Sequence, residues 1–167
     1  LTFGKSGITL EKFGQVAIPE GAVRDGEVVQ PAAVSAAIKQ LWEHTKFSSR
    51  DVIVGVANQK VIVRQVDLPW QPLDELKESL PFAVQDTIPM AVDQALLDYY
   101  PLEELTTEDG TRTYRGLLVA AQRDMVEAQL QAVTDAGLRP VMVDLTAFAV
   151  LRSLADSDDL GMGSTME

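Results

Sequence analysis

The sequence predicts a mixed α/β (α+β) architecture, and three observations carry that prediction. Two hydrophobic periods alternate along the chain: runs of period two, which bury one face of a strand, and stripes at i, i+3, i+4, which bury one face of a helix. The 167 residues are 46% apolar, enough for one ordinary domain or two small ones to bury about 70% of the unfolded surface. There is no cysteine and one histidine, so packing must hold the core without disulfides or a thiolate metal cage.

The elements follow in order. Residues 7–17 alternate apolar and polar side chains and predict a strand with one buried face. No later segment lies near enough in sequence to be its hairpin partner, so a partner upstream of Leu1 is expected. Pro19-Glu20-Gly21 and Asp25-Gly26 are turn signals. Pro31 then opens a helix whose Val34, Ile38, Leu41 and Trp42 recur on one face, and Ser48-Ser49-Arg50 ends it. Residues 52–56 form a continuous apolar run, expected as a strand buried on both faces and joined to a second strand, residues 60–68, in a hairpin.

Pro69 and Pro72 stop that strand, and Leu73, Leu76, Leu80, Ala83, Val84 and Thr87 trace a helical stripe. Pro81 falls inside it, where the missing amide and crowded ring cost about 3 kcal/mol in a regular helix, so a kink or two short helices are expected. Residues 95–100 and 113–121 predict a second hairpin around a flexible acidic tip at 103–110. Residues 123–136 predict a helix that Gly137 caps in the left-handed conformation. A short buried strand at 141–143, a closing helix at 147–154 and a polar linker beyond it complete the order.

The formal net charge is -11. Residues 1–83 carry 9 basic and 10 acidic side chains, whereas residues 84–167 carry 5 and 15. Phosphate backbones need a clustered basic field, so nucleic acid is excluded as a partner. No apolar run reaches the roughly 20 residues of a membrane span.

The motifs that carry chemistry are weak. Gly4-Lys5-Ser6 resembles the end of a phosphate-binding loop, but such a loop must open a helix and here an alternating strand follows. His44 sits where a helix ends and complements the dipole there. Asp93 with Asp98, or Asp124 with Asp144, are carboxylate pairs without a fixed separation, and the cluster at 156–159 lacks calcium-loop spacing. No catalytic, cofactor-binding or metal residue is assigned. Trp70, between Pro69 and Pro72, is either a lid on the local core or an anchor for a partner, and the strands at 52–68 offer an edge that could take a peptide.

Five phrases in register carry a family resemblance: residues 18–28 (Ile18-Pro19-Glu20-Gly21 onward), Val61-Ile62-Val63-Arg64-Gln65-Val66-Asp67-Leu68-Pro69, Gln85-Asp86-Thr87-Ile88-Pro89, Leu97-Asp98-Tyr99 and Ala136-Gly137-Leu138-Arg139-Pro140. In order and spacing they resemble the type IV pilus assembly protein PilM, an actin-like family related to the cell-division protein FtsA. The resemblance implies a partial actin-like (ribonuclease H-like) first subdomain, 1A, at residues 1–49 and 138–167, with an inserted small α+β subdomain, 1C, at 50–137. It places the phosphate loops outside this sequence, so ATP and Mg are expected of the full-length family member and not of this chain.

The resemblance further implies a non-catalytic module, cytoplasmic and peripheral to the inner membrane, that grips the N-terminal peptide of a PilN-like membrane protein in a groove beside the insert. Arg64, Val66, Leu68, Leu76, Val84 and Ile88 are the implied groove candidates, although Leu68, Leu76 and Val84 fit a core equally well. Trp70 and Pro81 depart from the family pattern and alter the local shape of that groove. Other pilus-assembly proteins and a second copy are further implied partners, with the membrane reached only through partners. The alternatives are a nucleotide hydrolase with its catalytic loops outside these residues and an FtsA-type cell-division protein.

Overall fold

The structure is a computed structural model that describes residues 2–4 and 7–154. Its elements run β1 (Thr2–Gly4), β2 (Gly7–Thr9), β3 (Val23–Arg24), β4 (Glu27–Val28), α1 (Pro31–Thr45), β5 (Asp51–Val56), β6 (Val61–Pro69), α2 (Leu73–Val84), a 3-10 turn (Val92–Gln94), β7 (Ala95–Thr106), β8 (Arg112–Gln122), α3 (Arg123–Asp135), β9 (Arg139–Leu145) and α4 (Thr146–Leu154). They form two compact units: residues up to Ala57 together with those from Ala128, and residues Asn58–Glu127. By contact, β5 and the second half of α3 belong to the first unit, although the resemblance assigns both to the insert.

In the first unit β3 and β4 meet across Asp25 and Gly26, whose φ values of 52° and 81° are those of a tight hairpin turn. Pro31 takes the first turn of α1, as its fixed φ and missing amide favour. Lys46 closes that helix at φ 55°, its N–H donating to the Trp42 carbonyl at 3.0 Å. β5 pairs with β9 in parallel, from Asp51 beside Arg139 to Val56 beside Leu145. A parallel pair needs a long return, which here ends in α3. Val54, Val133, Ala136 and Leu138 are buried together, with Ile38 and Trp42 packed on them. The Gly137 cap forms as expected, at φ 80°, with Leu138 N–H donating to the Val133 carbonyl at 3.3 Å.

In the second unit three strands lie in the order β6-β8-β7, antiparallel throughout. Along β8 every second side chain, Tyr114, Leu118 and Ala120 among them, is buried against α2, whose Leu76, Leu80 and Val84 complete the core with Leu68, Ile88 and Tyr99. The Tyr99 hydroxyl lies 2.9 Å from the Val66 carbonyl and 3.0 Å from that of Tyr114, so one proton is shared between two strands. Burial, and then the nearby Asp67 charge, push this phenol up to about 12.

Five expectations are corrected. The first strand covers only Gly7–Thr9, and its partner is Thr2–Gly4 within the chain. Residues 52–56 and 60–68 form no hairpin, because β5 pairs with β9 and β6 with β8. Neither β5 nor β9 is buried on both faces: Ile53, Val141 and Met142 are all exposed. The two short helices considered at Pro81 do not form, since α2 is one helix through it; the carbonyl that loses its bond belongs to exposed Lys77, where water can take its place. Strands β7 and β8 run on to Thr106 and from Arg112, so the acidic tip shrinks to a short turn, with Arg112 paired to Glu104 at 2.6 Å and Arg115 to Glu103 at 3.4 Å.

Candidate functional site

The two edges of the β6-β8-β7 sheet differ in what they offer. At the ends of the β6–β8 pairing, Trp70 N–H donates to the Arg112 carbonyl at 3.0 Å and Gln122 N–H to the Lys60 carbonyl at 3.2 Å. Both pairs are directly opposite in a register without a bulge. In an antiparallel ladder hydrogen-bonded pairs alternate with pairs that point away, so the even residues of β6 bond to β8. The amides and carbonyls of Val63, Gln65 and Asp67 therefore point to the open edge. By the same alternation Tyr99 and Pro101 point outward on β7.

The β7 edge is blunted. The Tyr99 N–H is taken by the Asp98 carboxylate at 2.9 Å, and the Ala95 carbonyl accepts from Arg123 at 3.0 Å. Pro101 has no N–H, and the pairing shifts by a bulge between Pro101 and Glu103. Proline, inward charge and bulges are the devices by which sheets refuse a further strand. The β6 edge has neither proline nor bulge from Val61 to Leu68, its charges being Arg64 and Asp67, and Pro69 closes it.

Of the groove candidates, Leu68, Leu76, Val84 and Ile88 are between 0% and 7% exposed and form the core of the second unit. They hold the edge in place from beneath. Arg64 and Val66 reach the surface on the α2 side of β6; Val66 is half-buried and Arg64 exposed, donating to the Thr87 carbonyl at 3.1 Å. Val63, Gln65 and Asp67 are the candidate edge residues that residue-type reasoning passed over. The signal for them lay in strand parity and in the absence of proline from residues 61–68.

The remaining candidates are occupied structurally. Trp70 is 37% exposed, with the Arg112 guanidinium 4.0 Å above its ring and Tyr114 at 6.3 Å, so it is partly lid and partly surface. Asp144 pairs with Arg152, and Asp124 accepts from its neighbour Met125 N–H at 2.7 Å. Asp93 and Asp124 do come together, with Glu127 and Arg123, around a hollow of about 320 Å³. His44 lies in the last turn of α1. Gly4 ends β1 and Gly7 begins β2, so no helix follows the Gly-Lys-Ser motif, whose Lys5 and Ser6 lie outside the described residues, as do the acidic cluster and polar linker beyond residue 154.

Among the described residues no His, Cys, Asp and Glu group could hold a metal, and no helix is long and apolar enough to cross a membrane. An edge strand with main-chain donors and acceptors over a packed core can hold an extended segment.

A family model described as type IV pilus assembly protein PilM matches residues 1–160. Among solved structures, a chain of a PilM-PilN type IV pilus biogenesis complex is 32% identical with a TM-score of 0.72, over 81% of this chain and 40% of that one. The cytoplasmic domain of EpsL, an inner membrane component of the type II secretion system of Vibrio cholerae, is 17% identical with a TM-score of 0.49, over 65% of this chain and 42% of that one. The chain thus spans less than half the length of the solved relatives it matches.

Proposed function

The chain belongs to the type IV pilus assembly protein PilM family, and from that premise we propose that it binds the cytoplasmic N-terminal peptide of a PilN-like membrane protein by strand addition to β6. The likeness to a PilM solved with PilN carries the choice of partner. The open β6 edge carries the mode: main-chain bonds from Val63, Gln65 and Asp67 supply affinity, and side chains beside Arg64 and Val66 supply selection. The core residues Leu68, Leu76, Val84 and Ile88 act by keeping the strand straight. The family match favours this reading over the cell-division alternative.

In this reading the chain is non-catalytic, cytoplasmic, and brought to the inner membrane by its partner. Residues 58–127 act as the inserted subdomain. No phosphate-loop sequence occurs in the 167 residues beyond the Gly4-Lys5-Ser6 fragment, which supports a role in assembly without ATP and Mg in this chain.

Calorimetry of the folded chain with a synthetic PilN-like N-terminal peptide tests the reading. Sub-millimolar binding is expected, and no heat overturns it. Gln65→Pro deletes one outward N–H, and its loss with the ring's obstruction weakens binding about tenfold or more. Thr106→Pro, which points outward from the blunted β7 edge, leaves binding unchanged. Equal effects of the two changes would refute β6 as the docking strand.

A further inference from the structure

A second site lies at the carboxyl end of α1, in the first unit. Its shape comes from the turn after the helix. Lys46 reverses the chain in the left-handed conformation, and Trp42 then donates its indole N–H to the Ser49 carbonyl at 2.9 Å. Phe47 packs on the Trp42 ring at 4.9 Å. The folded-back segment encloses a hollow of about 340 Å³ floored by these two aromatics and bordered by Lys39, Lys46, Arg50 and Glu43.

The charge of this hollow opposes that of the chain. Three cations face one carboxylate and the partial negative charge of the α1 carboxyl end, on a protein whose formal net charge is -11. Among the described residues none of the three cations is held in an ion pair. Asp51, the acid next in sequence to Arg50, is already committed: both its oxygens accept from Arg139 at 2.6 Å. That bidentate pair leaves the field of Arg50 uncancelled. Lys12 adds a further positive charge at the rim, donating to the Lys46 carbonyl at 2.5 Å.

We propose that this hollow binds a phosphate-bearing anion, the chemistry common to an anionic phospholipid headgroup and a free phosphomonoester. Convergent lysine and arginine supply charge-assisted hydrogen bonds to phosphate oxygens, with the Arg50 fork suited to two at once. Trp42 and Phe47 give the carbon part of such a ligand an apolar floor. The proposal is independent of the peptide reading, because the hollow lies at the Asp51 end of β5 and β6 contributes nothing to it.

Two binding measurements on the full chain separate the sources: cosedimentation with phosphatidylglycerol vesicles against phosphatidylcholine vesicles, and titration with glycerol 3-phosphate followed by the Trp42 indole NMR signal. Binding to the anionic vesicles alone identifies a headgroup, and a saturable Trp42 shift identifies a free phosphomonoester; either supports the proposal. Each of Lys39→Gln, Lys46→Gln and Arg50→Gln should weaken binding about fivefold, and the triple variant about a hundredfold. Glu43→Gln should strengthen it about twofold and serves as the test should the triple variant fail to fold. Absence of binding in both measurements overturns the proposal, as does binding that these four changes leave untouched.

Discussion

Gly116→Ala is the sharpest test of how the second unit is built. Gly116 lies at the middle of the central strand β8, and a methyl group there would meet the Tyr99 ring carbon that bears the hydroxyl at 2.6 Å and the hydroxyl oxygen itself at 2.7 Å, with the Tyr100 carbonyl oxygen closer still. The glycine is needed for space. The Tyr100 carbonyl is backbone, so β7 must shift against β8, and the ring must leave as well, taking its hydroxyl bonds to the Val66 and Tyr114 carbonyls with it. Overpacking costs about 1–3 kcal/mol and the lost hydrogen bonding about 1 kcal/mol more, a total of about 2–4 kcal/mol. Urea titration followed by the two tryptophan indole N–H signals reads the units separately, since Trp42 lies in the first and Trp70 in the second. Only the Trp70 midpoint should fall. In a Tyr99→Leu background the cost of the same change should drop by at least about 1 kcal/mol, because residues in contact do not add. An unfolding free energy at Trp70 lowered by less than about 1 kcal/mol, or additive costs, would refute the packing described for Tyr99.

Four further outcomes follow from the same structure. Tyr99 is held protonated by burial up to about 12, above its usual value near 10. The native state therefore keeps a proton that the unfolded chain has lost, so stability should fall as pH rises from 10 to 12, and Tyr99→Phe should flatten that slope in alkaline melts. Leu118→Ala, at 1% exposure, should cost about 2–5 kcal/mol by urea unfolding. Arg139→Gln removes the exposed partner whose hydrogen bonds hold the Asp51 carboxyl below the usual carboxylate range. Asp51 thus helps stability above that range and less as pH falls through it; the variant should melt slightly lower at neutral pH and show a weaker acid dependence. ATP with Mg should leave the melting temperature of the chain unchanged, whereas a ligand at a hundred times its dissociation constant would add about 2.7 kcal/mol.

Helices were legible because their information is local. Pro31 marks the start of α1 and Gly137 the end of α3, and apolar spacing fixed their buried faces. Pairing was not legible, since Val52 to Val56 carries no mark saying that its partner is Arg139 to Leu145, far along the chain. Adjacency in sequence suggested a hairpin with residues 60–68, and contact with a distant strand won. The same limit affected the groove candidates. Leu68, Leu76 and Val84 have the composition of a pocket lining and of a core alike, and only the shared packing of α2 on β6 and β8 distinguishes the two.

The contrast between the two sheet edges bears on why the candidate site is where it is. An unpaired edge is a liability, since any extended chain can add to it. On β7 this sequence spends Asp98, Pro101 and a bulge to close the edge. On β6 it leaves the main-chain groups of Val63, Gln65 and Asp67 outward over the same core, with no proline or bulge between Val61 and Leu68. Both edges pack on one core, β6 through Leu68 and β7 through Tyr99, so burial alone does not distinguish them. An edge left open in this way is what the proposed strand addition at β6 requires, and there the Asp67 carboxylate is tied by Arg115 at 3.0 Å through both oxygens.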